Sequence, residues 1–139
     1  MENIKRIKDA IVREYPAINL EDNLATAMTQ MAQNNASALV VRRDDQLLGI
    51  VTITDVMFSL AGNSDPDKIR IDSFMTKCDL ISEKGTRNPC VQLDVEQDVL
   101  SAVKVMYEAG VNHLVVSGST GEPVGIVSSL EIVKLLAES

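Results

Sequence analysis

Two short stretches of the sequence place a carboxylate three residues after a hydroxyl. In "GIVTITD" the pair is Thr52 and Asp55, and in "GIVSSLE" it is Ser128 and Glu131. Each pair follows an apolar run typical of a strand, where a helix is expected to begin. The free N–H groups of a helix start favour a phosphate, and a carboxylate one turn in can accept both hydroxyls of a ribose. The two pairs are therefore candidates for binding a sugar and its phosphate.

The same spacing also has a purely structural interpretation. Thr-x-x-Asp and Ser-x-x-Glu match the capping box, in which the hydroxyl and the carboxylate satisfy N–H groups of the helix itself. This alternative stays open for both pairs. From the residues alone it is favoured for both pairs, and Ser128 and Glu131 fit the box better than Thr52 and Asp55 do.

The elements that position the two pairs occur twice in the chain. "LATAMTQM" aligns with "VLSAVKVM" at an offset of 75 residues, and "GIVTITDVM" aligns with "GIVSSLEIV" at an offset of 76. The extra residue falls in a polar hairpin turn, where insertions are best tolerated. A unit of ~45 residues buries too little surface alone. The predicted fold class is therefore α+β, with two pseudo-symmetric β-α-β-β-α repeats packed through their sheets and an N-terminal helix.

Each repeat predicts an opening strand, a helix, a hairpin and a short final helix. Asp22 and Asp98 lie near the starts of the longer helices, and Gly110 is expected to end the second of them. The predicted opening strands are Ala17–Leu20 and Val91–Leu93, and the predicted final helices are Thr54–Leu60 and Ser129–Ala137. The predicted division is an N-terminal helix at 1–14 with Ile4, Ile7 and Ile11 on one face, a first repeat at 15–62, a connector at 63–77, and a second repeat at 78–139 with an inserted loop at 78–90. A small strand is expected at 79–81.

These duplicated phrases, with "MT" at Met75 and Thr76 opening the second copy, resemble a tandem cystathionine β-synthase (CBS) domain pair, also called a Bateman module. The resemblance runs from Tyr15 to Ala137. It implies two clefts between the copies, in which family members bind adenosine-containing ligands such as AMP, ADP, ATP or S-adenosylmethionine. It also implies dimers of modules and a regulatory role without catalysis.

The resemblance assigns ribose and phosphate binding to Thr52, Asp55, Ser128 and Glu131, and Glu131 departs from the Asp that is usual in the family. It places adenine against the first short strand of each copy and a phosphate contact near the only histidine. The further candidates are Ala17, Ile18, Val91 and Gln92 for adenine, and Asn112 and His113 for phosphate. Each has a structural alternative, as a core strand residue or as a structural histidine.

Composition and charge narrow the classes of function. The 139-residue chain has a net charge of −7, and a phosphate backbone binds a basic surface, so nucleic acid is not expected as a partner. No apolar run approaches the ~20 residues of a membrane span, and the charged N-terminus lacks a signal-peptide core. A cytoplasmic protein without a membrane partner is expected. In that compartment Cys78 and Cys90 should be reduced thiols, and with one histidine they are too few to hold zinc.

Together with what the resemblance implies, the sequence predicts a stand-alone regulatory module that is not an enzyme, requires no cofactor or metal and binds an adenosine-containing ligand. It is expected to act as a homodimer and to signal by conformational change to an effector protein. The alternative is a ligand-free interaction module whose hydroxyl–carboxylate pairs only cap helices. A third interpretation is a redox enzyme that uses Cys78 and Cys90.

Overall fold

The computed structural model describes residues 4–12, 15–44, 46–62, 65–78, 90–117 and 123–138, except the side chains of Gln92 and Pro123. The chain forms two compact units. Tyr15–Cys78 is named here the first-repeat unit, and Met1–Glu14 with Asp79–Ser139 is the second-repeat unit. Each contains the elements β-α-β-β-α in that order. The predicted α+β class with two repeats is therefore confirmed.

The first-repeat unit is a four-stranded sheet with two helices. Its elements are β1 (Ala17–Asn19), α1 (Leu24–Asn34), β2 (Ala38–Arg43), β3 (Gln46–Thr52), α2 (Ile53–Ala61), a 3-10 turn (Ile71–Ser73) and β4 (Thr76–Lys77). The strands lie in the order β1-β2-β3-β4. Only β1 and β2 are parallel. The sheet therefore ends with two short strands, β1 and β4.

Helix α1 is fixed at both ends by asparagine. The side chain of Asn23, rather than that of Asp22, caps the start by accepting from the amide of Thr26. Asn35 ends the helix in the left-handed conformation, with φ of 49°, which asparagine tolerates better than most residues. The helix packs apolar residues on a core formed by Ile18, Leu24, Ala27, Met31, Leu39, Val41, Val51, Val56 and Ile71.

Most of the predicted connector belongs to the first-repeat unit. The amide of Leu24 donates to the carbonyl of Ile69, and the amide of Ile71 donates to the carbonyl of Asp22, both at 2.8 Å. Farther along, β4 adds to the edge of β3. The strand predicted at residues 79–81 and most of the inserted loop lie outside the described residues.

The second-repeat unit has the same order around a three-stranded sheet. Its elements are β5 (Cys90–Gln92), α3 (Val99–Ala109), β6 (His113–Ser117), β7 (Pro123–Ser128) and α4 (Ser129–Ala137). The strand order is β5-β6-β7, with β5 parallel to β6 and β7 antiparallel to it. Gly110 follows α3 with φ of 68°, so the predicted end of that helix is confirmed.

The N-terminal segment is held mainly by backbone bonds to the second repeat. The predicted helix is a single 3-10 turn over Ile7–Asp9. The amide of Ile7 donates to the carbonyl of Gln97 at 3.0 Å, and Val12 forms a bridge with Ile126. These bonds use backbone groups that a longer helix would need for itself. Of the predicted apolar face, Ile7 is buried and Ile4 is exposed.

Candidate functional site

The junction between β3 and α2 places Thr52 and Asp55 side by side. Thr52 is the last residue of β3 and caps α2, its Oγ1 accepting from the amide of Asp55 at 3.2 Å. In return, Asp55 Oδ2 accepts from the amide of Thr52 at 3.0 Å. The capping box predicted as the structural alternative is therefore present for this pair. Both residues are partly buried.

Thr76 on β4 is a further part of this junction. Its Oγ1 lies 3.0 Å from Oδ1 and 3.0 Å from Oδ2 of Asp55. The sequence drew attention to "MT" only as the opening of the second copy. Because Ile50 pairs with Thr76 across β3 and β4, this threonine belongs to the first site. Two-residue strands leave little pattern in a sequence, so the motif was the one available clue.

The junction between β7 and α4 resembles the first, but it has only one of the two hydrogen bonds of a capping box. Ser128 is buried and caps α4, its Oγ accepting from the amide of Glu131 at 3.1 Å. The Glu131 carboxylate lies 3.8 Å from the Nζ atom of Lys134 instead of closing the box. The expectation that this pair fits the box better was wrong. The Glu131 side chain forms an ion pair with Lys134 on the same helix, whereas the shorter Asp55 side chain accepts a hydrogen bond from the amide of Thr52.

Asn112 and His113 lie at the same junction as Ser128. His113 is buried, and it pairs with Ser128 across β6 and β7. Asn112 Oδ1 accepts from Ser129 Oγ at 3.0 Å, and the Asn112 carbonyl accepts from the Ser129 amide at 2.9 Å. The structure therefore brings these predicted phosphate contacts to the start of α4. Burial of the histidine also fits its structural alternative.

The opening strands place the adenine candidates at the same ends of the two sheets. In the first-repeat unit Ala17 pairs with Val40, and Thr52 pairs with Ala38. Ala17 and Thr52 are therefore separated by two strands across the sheet and by two residues along it, or about 12 Å by strand geometry. In the second-repeat unit the pairs Cys90–Val115 and His113–Ser128 repeat this arrangement, so the candidate Val91 lies one residue farther along its strand than Ala17 does.

The side chains of these candidates differ in their exposure. Ala17 is exposed, whereas Ile18 is buried in the core, and Val91 packs partly buried against the second core. The side chain of Gln92 lies outside the described residues. The carbonyl of Pro16 accepts from the amide of Val40 at 2.9 Å, so Ala17 directs its backbone groups to the other edge of β1. Backbone recognition at Ala17 is therefore compatible with this geometry.

The expectation of two reduced thiols is wrong for this structure. Cys78 and Cys90 are both disulfide-bonded. The prediction rested on an assumed reducing compartment, not on a feature of the residues themselves. Within the described part of the chain, no cluster of three or more His, Cys, Asp or Glu residues could hold a metal ion. None of the described helices is long and apolar enough to cross a membrane.

Comparison with known proteins places these junctions in context. An inosine-5'-monophosphate dehydrogenase from Thermoplasma acidophilum is 26% identical over 133 residues, covering 96% of this chain and 24% of the enzyme. The chain spans between 24% and 45% of the first three curated relatives that it matches.

Two solved structures share the fold along almost their entire length. The CBS domain pair of protein MJ0100, in complex with 5'-methylthioadenosine and S-adenosyl-L-methionine, has a TM-score of 0.73 at 21% identity, covering 98% of each chain. The CBS domain protein PAE2072 from Pyrobaculum aerophilum, complexed with AMP, has a TM-score of 0.72 at 19% identity, covering 97% of this chain and 100% of that one.

The family model of the CBS domain matches this chain twice, at residues 7–62 and 79–138. The matches contain both strand–helix junctions and the two hydroxyl–carboxylate pairs. This protein therefore belongs to the CBS domain family and carries two copies of the domain.

Proposed function

We propose that the protein is a regulatory module that binds an adenosine-containing ligand at its strand–helix junctions. The observation that carries the proposal is the repeated junction, which sets Thr52 beside Asp55 and Ser128 beside Glu131. In both units a helix begins there, and its first N–H groups favour an anion such as a phosphate. The proposed ligands are AMP, ADP, ATP and S-adenosylmethionine.

The Asp55 carboxylate has the capacity to bind a ribose while it keeps its bond to the amide of Thr52. An ionised carboxylate offers about four acceptor positions. Its described donors are the amide of Thr52 and the hydroxyl of Thr76. Asp55 is also only partly buried. A ribose hydroxyl can therefore reach this carboxylate, with Thr52 near the adjoining phosphate and Ala17 near the base.

The ligands of the structural neighbours support the choice of ligand class. MJ0100 is in complex with 5'-methylthioadenosine and S-adenosyl-L-methionine, and PAE2072 with AMP. All three ligands contain adenosine. The likeness in fold to these two proteins favours the same chemistry at the junctions of this chain.

The proposed mechanism is a shift between two shapes of the module, with no catalytic step. A ligand can shift such an equilibrium only by binding one shape more tightly than the other. The output would then reach an effector protein. A cytoplasmic location is part of this proposal, although disulfide-bonded cysteines are rare in that compartment.

Thermal unfolding with AMP, ADP, ATP, NAD and S-adenosylmethionine tests the proposal. A ligand at 100 times its Kd should add about 2.7 kcal/mol of stability. Asp55→Ala should abolish this gain. Asn23→Ala is a matched control, because it removes a helix cap on α1 away from the junction. If Asn23→Ala abolishes the gain equally, or no ligand stabilises the wild type, the proposal fails.

A second candidate is an interaction module without a ligand. The closed capping box of Thr52 and Asp55 favours it, because that pair already has a structural task. In this case none of the five ligands would change the unfolding transition. Asp55→Ala would then lower the stability of the protein without any effect on binding.

We also propose that the module forms a homodimer through its helices. Met57 on α2 and Val133 on α4 occupy equivalent positions and are 57% and 62% exposed. Beside Val133, an apolar hollow of about 370 Å³ lies between α3 and α4, with Tyr107 at its wall. Exposed apolar surface of this kind is typical of an interface. A second copy of this chain presents the same helices, so it is the proposed partner that covers this apolar surface.

A further inference from the structure

The hydroxyl of Thr76 is equidistant from the two oxygens of the Asp55 carboxylate. Its Oγ1 is 3.0 Å from Oδ1 and 3.0 Å from Oδ2. A hydroxyl carries one proton, so the two distances describe a single hydrogen bond shared by both oxygens. Thr76 therefore engages the whole carboxylate with one donor.

A vicinal diol bound to a carboxylate uses the same position. Each of its hydroxyls donates to one oxygen, so the diol engages the same two oxygens that Thr76 engages with its one hydroxyl. We propose that Thr76 is an internal competitor of the ligand, which must displace its hydroxyl from Asp55 to bind through the ribose diol. This proposal rests on the proposed function, because it takes Asp55 as the ribose-binding residue.

The exchange favours the ligand on hydrogen-bonding grounds. A diol donates two separate bonds to the ionised carboxylate, and the bond from Thr76 to this acceptor is charge-assisted in the same way, so the number of bonds decides the exchange. Thr76 donates one shared bond in their place. It is only partly buried, so its displaced hydroxyl can be hydrated.

The backbone of β4 can stay in place during this exchange. An added Cβ at Gly49 would lie 2.4 Å from the carbonyl oxygen of Thr76, so β4 lies very close to β3. The Cys78 amide also donates to the carbonyl of Leu48 at 3.0 Å. Rotation of the Thr76 side chain is therefore enough to free Asp55. The hydrogen bond between Thr76 on β4 and Asp55 on α2 is then present without ligand and lost when the ligand binds.

Calorimetric titration of AMP and of 2',3'-dideoxy-AMP into wild type, Thr76→Ala and Thr76→Ser tests the competition. Thr76→Ala should bind AMP about 3- to 10-fold more tightly, the equivalent of one net hydrogen bond. Thr76→Ser keeps the hydroxyl and should bind AMP like the wild type. The dideoxy compound should bind wild type and Thr76→Ala equally, because it lacks the diol. Thr29→Ala, at an exposed threonine on α1, is the control.

A measurement on the wild type covers the case in which Thr76→Ala folds poorly. At saturation, AMP should shift the nuclear magnetic resonance of the Thr76 methyl group, whereas the dideoxy compound should leave it unchanged. Each variant is first checked for cooperative thermal unfolding without ligand.

The outcomes separate this proposal from the proposed function. Weaker or unchanged AMP binding by Thr76→Ala, with binding still lost in Asp55→Ala, overturns the competition and leaves the function in place. An equal gain in affinity for both compounds also overturns it, because the effect then does not involve the diol. If AMP binds neither wild type nor Thr76→Ala, both proposals fail for this nucleotide.

Discussion

Asp55 Oδ2 lies 3.0 Å from the backbone amide of Thr52, so the side chain of a proposed ligand-binding residue also closes the first turn of its own helix. Glu131, at the equivalent position, makes no such bond and lies near Lys134 instead. The acidic residues of the two repeats therefore have different structural roles. This difference allows stability and binding to be tested separately.

Asp55→Ala should destabilise the protein by about 1–2 kcal/mol, because it removes the capping-box bond and leaves the hydroxyl of Thr76 without its acceptor. Glu131→Ala should cost less than about 0.5 kcal/mol, because its exposed ion pair contributes little. Urea denaturation of both variants without ligand gives the comparison. Equal losses would show that the difference between the two junctions has no energetic consequence.

Gly49→Ala should destabilise the first-repeat unit by about 1–3 kcal/mol, the usual cost of overpacking. Its Cβ would lie 2.4 Å from the Thr76 carbonyl oxygen and 2.6 Å from Met75 Cε, so β4 would have to move. Gly62→Ala is the control, since its nearest contact would be 3.4 Å. Chemical denaturation measures both. A neutral Gly49→Ala variant would contradict the close packing of β4 on β3.

Met57→Glu and Val133→Glu should each shift the proposed homodimer towards monomer, because a charge buried at an apolar interface is costly. Light scattering after gel filtration measures the mass. Gln33→Glu, on the exposed face of α1, adds the same charge elsewhere and should leave the mass unchanged. A wild type that is monomeric at all concentrations would refute the dimer.

The native protein should show no titratable thiol under non-reducing conditions, because both cysteines are disulfide-bonded. Thiol titration in denaturant, before and after reduction, should change from none to two per chain. Intact mass should rise by two hydrogens on reduction. Thiols that react before reduction would show instead that the cysteines are free, as a reducing cytoplasm favours.

Much of the fold could be predicted because the chain repeats itself. Alignment of the copies identified the hairpins, and α4 was predicted with its observed bounds, Ser129–Ala137. Gly110 marked the end of α3 because it tolerates a positive φ. The apolar residues of these elements form the cores of the two units. Their spacing could therefore be recognised from the residue types alone.

Features that depend on tertiary contacts were harder to predict. Asp22 and Asn23 are both good caps, and the register of α1 decides between them. The N-terminal isoleucines have helical spacing, but bonds to the backbone of the second repeat limit the helix to a single turn. The contact between Thr76 and Asp55 joins residues 21 apart, and no local pattern predicts it.

The missing capping-box bond of Glu131 at α4 has a consequence for how the sequences of the two repeats can diverge. Mutation of Glu131 should cost the helix little, so drift at that position is expected to meet weak purifying selection from folding alone. Asp55 is constrained by folding whether or not a ligand binds. Conservation of an acid at the second position among descendants of this gene would therefore report on function more directly than conservation at the first.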